Sequence, residues 1–145
     1  MLKEIKKNLF AIISVDWDRR LFDSLIPLPD GTSYNAYLIK GSEKTVLIDS
    51  TDPAMLDRLM TPLQEISKID YVISLHTEQD HSGAIPYVLE KYPEAVLICS
   101  TKAKELIMDH LLIPAEKIRT VEDGEELSLG DKTLEFIHFP WVHWP

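Results

Sequence analysis

The residues best suited to chemistry lie in one short segment, His76-Thr77-Glu78-Gln79-Asp80-His81-Ser82-Gly83. Four potential metal ligands fall within six positions of it. Side chains alternate along an extended stretch, so His76, Glu78 and Asp80 can converge on one side while His81 begins a helix. Imidazole and carboxylate together suit zinc, iron, manganese or nickel. A polar loop with helix-capping residues would account for a single His or Asp. Four ligand types at this spacing, directly after an apolar strand, point to a metal site.

A ligand loop needs a rigid frame, and the surrounding pattern supplies alternating strands and helices, the signature of an α/β protein. Asp70–Leu75 reads as a buried strand running straight into His76. Ser82 is expected to cap a helix reaching about Lys91, with Pro86 in its first turn. Upstream, Leu9–Val15 reads as a strand, followed by a loop marked by Pro27, Pro29 and Asp30-Gly31. Tyr34–Ile39 and Thr45–Asp49 form a hairpin across Gly41-Ser42. Asp52-Pro53 starts a helix, with Asp as N-cap and Pro at the first position. That helix should break or kink at Thr61-Pro62-Leu63-Gln64, where Pro62 lacks an N–H and the four residues spell a capping box. Downstream come a strand at Ala95–Cys99, a helix from Thr101 to about Leu112 and a short strand at Lys117–Val121. Glu125–Leu129 and Lys132–Phe139 pair across Gly130-Asp131, and the chain stops at the aromatic run Trp141-Val142-His143-Trp144-Pro145. That ending reads as an interrupted fold.

The chain has 145 residues, 45% hydrophobic and 27% charged, which suits one domain with a core and argues against a disordered tail. A net charge of −9 repels phosphate backbones and makes nucleic acid an unexpected partner. No apolar run approaches the roughly 18 residues of a membrane span. The start, with its Lys and Glu, does not read as a signal peptide. The single cysteine, Cys99, excludes an intrachain disulfide and fits a cytoplasmic setting. It ends an apolar strand and reads as a small buried hydrophobe. His110 reads as a surface residue in a charged helix, His138 as a strand residue facing either a pocket or the sheet, and Glu122–Glu126 as a solvated turn. Trp17 and Trp141 are expected in core packing.

The ligand segment resembles the His-x-His-x-Asp-His signature of the metallo-β-lactamase superfamily, with one departure. Glu78 stands where the zinc hydrolases carry their second His. His-x-Glu-x-Asp-His is the pattern of the flavodiiron proteins (rubredoxin:oxygen oxidoreductases, or A-type flavoproteins). A carboxylate in place of an imidazole makes the site harder and more anionic, which favours iron. Val15–Arg20, Gly31–Leu38 and the context of His143 also look like that family, so the resemblance covers the chain. It implies that His76, Glu78 and His143 bind one iron, and that Asp80 and His81 bind the second. A second departure is Phe22-Asp23-Ser24, where family members carry a His-Gly pair near the metal pocket.

The implied fold is α/β, the N-terminal half of a metallo-β-lactamase-like αββα sandwich, with residues 1–145 as one partial domain. The family's flavodoxin-like domain, which carries FMN, is absent from these residues, as are the later ligands of the second iron. The implied activity is reduction of O2 to water or of NO to nitrous oxide, with electrons from FMN and a rubredoxin-like donor. Two other readings stand beside it: a zinc-dependent hydrolase of the same superfamily, and a non-catalytic remnant. Half a sandwich would leave one apolar sheet face uncovered, so a homodimer or larger oligomer is expected.

Overall fold

The computed structural model describes residues 2–139. In chain order it contains β1 (Leu2–Lys6), β2 (Leu9–Asp16), β3 (Leu21–Phe22), β4 (Ile26–Pro27), β5 (Thr32–Lys40), β6 (Thr45–Ile48), α1 (Leu56–Leu63), β7 (Tyr71–Ile73), α2 (Gln79–Ser82), α3 (Ile85–Lys91), β8 (Val96–Ser100), α4 (Thr101–Leu111), β9 (Ile118–Val121), β10 (Glu126–Ser128) and β11 (Thr133–Glu135). The expected strand around Trp141 and the ligand His143 lie outside the described residues.

Seven strands form one sheet in the order β1-β2-β5-β6-β7-β8-β9. The first four pair antiparallel, and β6 to β9 run parallel. Parallel neighbours need crossovers, which the helices between β6 and β9 supply. Ile12, Ala36, Leu38, Leu47, Val72, Leu97 and Cys99 project from one face of the sheet and pack on Leu59, Leu63, Ile85, Val88, Ala103 and Ile107 of the helices. Burial pushes the Cys99 thiol up to about 11, so it stays protonated and inert, as its apolar strand implied.

Local signals account for most boundaries. The Asp52 carboxylate accepts from the Ala54 N–H at 2.9 Å, and Pro53 opens a 3-10 turn that leads into α1. Ser100 caps α4 by accepting from the Ala103 N–H at 3.2 Å. Three expectations need correction. The Thr61–Gln64 capping box does not form: Thr61 and Pro62 sit in the last turn of α1, and the Gln64 N–H bonds back to the Thr61 carbonyl. Ser82 caps nothing; it ends the short α2, and α3 starts separately with Pro86 in its first turn. The last hairpin is shorter than expected, with regular pairing over Glu126–Ser128 and Thr133–Glu135 alone. The charged N-terminal segment is an edge strand, β1, whose side chains past Leu2 are exposed. Edge strands tolerate such charge because only their backbone pairs.

The other sheet face was expected to be bare, and part of it is covered. The β10–β11 hairpin folds over it, and Leu127, Leu129, Leu134 and Phe136 pack on Val46, Ile73, Ile98 and Val121 in a second core. The turn of this hairpin clasps the β5–β6 turn. Ser42 N–H donates to Asp131 Oδ1 at 2.7 Å, Asp131 N–H donates to Ser42 Oγ at 3.0 Å, and Glu43 N–H donates to the Leu129 carbonyl at 3.0 Å. Beyond its reach, Ile13 on β2 and Tyr37 on β5 stay exposed at 47% and 37%.

Asp70 sets the register of the ligand-bearing strand. Its N–H and one carboxylate oxygen bond Thr45 at 2.9 Å each, and its carbonyl accepts from Val96 at 3.0 Å. Lys68 and Lys44 reach its other oxygen at 2.6 and 3.3 Å. Burial pushes this carboxyl up, but those ammonium groups and the Thr45 N–H outweigh it and hold Asp70 below its ordinary 3.8. A depressed folded pKa gives stability that is present above the unfolded value and lost as pH falls. Asp70→Ala should therefore cost about 1–3 kcal/mol at neutral pH, chiefly by leaving the Thr45 N–H unpaired. The gap to wild type should narrow in urea melts run at pH below 4. A constant gap across that range would contradict the assignment.

Candidate metal centre

The loops that follow β6 and β7 lie side by side, because the two strands are parallel and in register through Ile48↔Ile73. Carboxyl ends of parallel strands are where such sheets place ligands. Here the loop carrying residues 74–83 is tied down along its length. Ser74 N–H donates to the Ile98 carbonyl at 2.9 Å, and its hydroxyl donates to the His76 carbonyl at 2.9 Å. The buried Ser82 hydroxyl reaches the carbonyls of Thr77 and Glu78 at 2.8 and 3.1 Å, which is why it is unavailable as a helix cap. From the neighbouring loop, Ser50 binds the His81 carbonyl through its N–H at 2.7 Å and its hydroxyl at 2.6 Å.

The ligand residues meet as two abutting pairs. His76 Nε2 lies 3.0 Å from Glu78 Oε2. His81 Nε2 lies 3.7 Å from Asp80 Oδ2. The two imidazoles stand edge to face with centroids 5.3 Å apart. On its other side, His81 Nδ1 is 3.1 Å from Asp49 Oδ2. That hydrogen bond raises the His81 pKa above 6.5 against the effect of burial, and the charges of Asp49, Asp80 and Glu78 add to it. Among the described residues, no three His, Cys, Asp or Glu side chains converge closely enough to hold a metal ion. The described side chains thus stand as two pairs, His76 with Glu78 and Asp80 with His81, and Asp49 lies on the far side of the His81 ring.

One observation of the donors fits a metal. Asp80 Oδ1 is buried and makes no hydrogen bond. An orphaned carboxylate oxygen is costly, and a cation would relieve it.

A cleft of about 680 Å³ opens beside the loop, with Glu78 and Asp80 in one wall and Arg19, Phe22, Tyr34 and Asp52 among the others. Phe22 and Asp23, at the departure from the His-Gly pair, line this cleft with the ligand loop. The Tyr34 hydroxyl donates to Asp16 Oδ2 at 3.3 Å, and burial together with the Asp52 charge pushes Tyr34 up to about 12. Arg19 reaches Asp52 at 3.7 Å. Gly31, at φ +75°, lies so near the Asp16 carbonyl that a Cβ would sit 2.3 Å from it, so this crossing needs glycine.

The reading by residue type missed Asp49, Asp52 and Tyr34. One available signal was the buried polar run Asp49-Ser50-Thr51-Asp52 directly after an apolar strand, in the position the ligand loop takes after the next one. His110 is exposed as expected, yet it lines the rim of the cleft. Trp17 is not core: it is 68% exposed. His138 is half-buried, and its N–H donates to Asp123. The turn at Glu122–Glu126 is largely exposed and held by the Glu125 carboxylate, which accepts from Glu122 N–H and Arg119.

No helix among the described residues is long and apolar enough to cross a membrane. Residues 32–145 match the family model described as ODP family beta lactamase. The chain is 35% identical over 150 residues to the anaerobic nitric oxide reductase flavorubredoxin of Vibrio vulnificus, covering 100% of this chain and 30% of that one. All of it superimposes, with a TM-score of 0.92 and 31% identity, on 37% of a point mutant of the flavo di-iron protein from Thermotoga maritima. The rubredoxin oxygen:oxidoreductase of Desulfovibrio gigas gives the same TM-score at 30% identity, again over 37% of that chain. This chain therefore spans about a third of the length of the proteins it matches. A sheet whose parallel ends carry His-x-Glu-x-Asp-His, matched in sequence and in shape along its length, places this chain in the ODP family of beta lactamases, in the company of the flavodiiron proteins.

Proposed function

We propose that residues 1–145 form the metal-carrying part of a diiron oxidoreductase that reduces O2 to water, NO to nitrous oxide, or both. The observation that carries this reading is the pair of abutting imidazole–carboxylate couples, with Glu78 in place of an imidazole. His76, Glu78 and His143 would hold one iron, and Asp80 and His81 the other. Iron supplies the redox chemistry and open positions for a diatomic substrate when it is bound. The protein's own part is to fix the donors: Ser74, Ser82 and Ser50 hold the loop, and Asp80 offers an oxygen that nothing in the described protein satisfies. Electrons would come from FMN bound outside these residues, reduced by a rubredoxin-like donor, in a cytoplasmic setting that fits the single cysteine.

Two measurements test this. After anaerobic loading with ferrous iron, elemental analysis of the chain should find iron at less than two per chain, since the second iron's later ligands lie outside it. Retention should weaken as pH falls, because imidazole must be neutral and carboxylate ionised to bind. Two tightly held irons, or exclusive retention of zinc, would contradict the reading. With NADH and a rubredoxin system, flavin-free chain should show negligible O2 or NO consumption, and substantial turnover would sink the proposed route of electrons.

Association follows from the apolar strip left beyond the hairpin. Pairing Ile13 and Tyr37 with a second copy would remove them from water, and fully burying an Ile-sized side chain is worth roughly 1.5–3 kcal/mol. A symmetric homodimer is the commonest closed solution. Light scattering should give twice the 16.6 kDa chain mass at micromolar concentration, and a monomer would refute it.

A further inference from the structure

Asp49 follows β6, and beyond its contact with His81 it has no part in the function proposed above. It is 5% exposed and sits at φ 57°, in the left-handed region that few residues other than glycine adopt. Both of its carboxylate oxygens are engaged. Oδ1 accepts from the Leu75 N–H at 2.8 Å, and Oδ2 faces His81 Nδ1 at 3.1 Å. Its own N–H donates to the Ile73 carbonyl at 2.8 Å. One residue thus fastens the end of β6 to the entry of the ligand loop and to the imidazole at its far end.

The chemistry of the contact decides where a proton sits. An ionised carboxylate only accepts hydrogen bonds, and a neutral imidazole has one N–H to give. With Asp49 on Nδ1, that N–H must be at Nδ1, which leaves the lone pair on Nε2, the nitrogen 3.7 Å from Asp80 Oδ2. We propose that Asp49 is a positioning residue that holds neutral His81 as its Nδ1–H tautomer and so presents the Nε2 lone pair beside Asp80. That His81 is a metal ligand rests on the reading above; the tautomer does not.

Asp49→Asn separates the two. Asparagine has one acceptor oxygen where aspartate has two, and both Leu75 N–H and His81 need one. A backbone N–H cannot move its proton, whereas an imidazole can shift its own from one nitrogen to the other. The introduced amide should therefore keep its oxygen on Leu75 and turn its NH2 toward Nδ1, reversing His81 to the Nε2–H tautomer. Long-range 15N–1H NMR on metal-free, labelled chain, at a pH above the His81 titration, reads this directly. The expected result is Nδ1–H in wild type and Nε2–H in D49N. Nε2–H in wild type, or the same tautomer in both, would overturn the proposal. If D49N does not fold, the wild-type spectrum decides alone. In parallel, cobalt(II) titration should show D49N binding about 10–100-fold more weakly than wild type, the usual cost of losing an outer-shell partner. Asp109→Asn, on the far turn of α4, should bind as wild type does. A tautomer switch with no cobalt binding by either protein would uphold the Asp49 assignment and count against the metal reading instead.

Discussion

Glu78→His should raise the ratio of zinc to iron affinity at least roughly tenfold, and Glu78→Ala should weaken iron binding by more than the 10–100-fold typical of an outer-shell loss. A carboxylate favours harder iron, and imidazole moves the donor set toward the zinc hydrolases. The fold should be indifferent. Glu78 begins α2 through its backbone carbonyl, which accepts from His81 and Ser82 at 2.9 Å each, and its side chain makes no capping bond. Melting curves of both variants should stay within the range of ordinary surface substitutions, about 0.5 kcal/mol. Competition titrations with ferrous iron and zinc supply the readout. An unchanged ratio in Glu78→His would show that this position does not touch metal.

Leu129→Ala should be the most damaging substitution for stability. Its side chain is fully buried in the second core, and its carbonyl receives Glu43 N–H while its own N–H donates to Lys132 at 2.7 Å. Truncating a buried leucine costs about 2–5 kcal/mol. A further check uses the opposite side of the contact. A Cβ at Gly41 would lie 2.2 Å from the Leu129 carbonyl oxygen, so Gly41→Ala must push the hairpin off the β5–β6 turn. Both variants should melt early in urea and bind a hydrophobic dye, because the second sheet face is uncovered. A loss below about 0.5 kcal/mol for Leu129→Ala would show that the hairpin adds little.

The frame was legible wherever one face of an element alone determines it. Val46-Leu47-Ile48 and Val96-Leu97-Ile98 are short apolar runs rich in β-branched residues, and Asp52-Pro53 carries its own start signal. The ligand loop was legible because four donors stand within six positions. Features set by how a loop folds back on itself, or by partners distant in sequence, were hidden. Ser82 looks like a cap until its hydroxyl is seen bound to the loop behind it. β1 carries no apolar strand pattern, because an edge strand needs only its backbone. Asp49 lies 26 residues from Leu75 and 32 from His81, so its part emerges only when β6 and β7 are in register. The β10–β11 hairpin was readable as a hairpin, but its docking on the second sheet face was not, because that depends on which face the helices leave open.

The clasp between Ser42 and Asp131 joins residues 89 positions apart. A ribosome delivers every strand of the large sheet and every helix of the first core before it delivers this hairpin. The helix-packed side can therefore consolidate during synthesis, with the ligand loop already held between β7 and α3, while the opposite face waits. Docking last on a finished sheet would place the hairpin on the native side of the folding barrier. Changes at Gly130 and Asp131 would then speed unfolding and leave the folding rate almost untouched. The hairpin would then work as a latch that sets how long the finished domain stays closed, with little say in how quickly it forms.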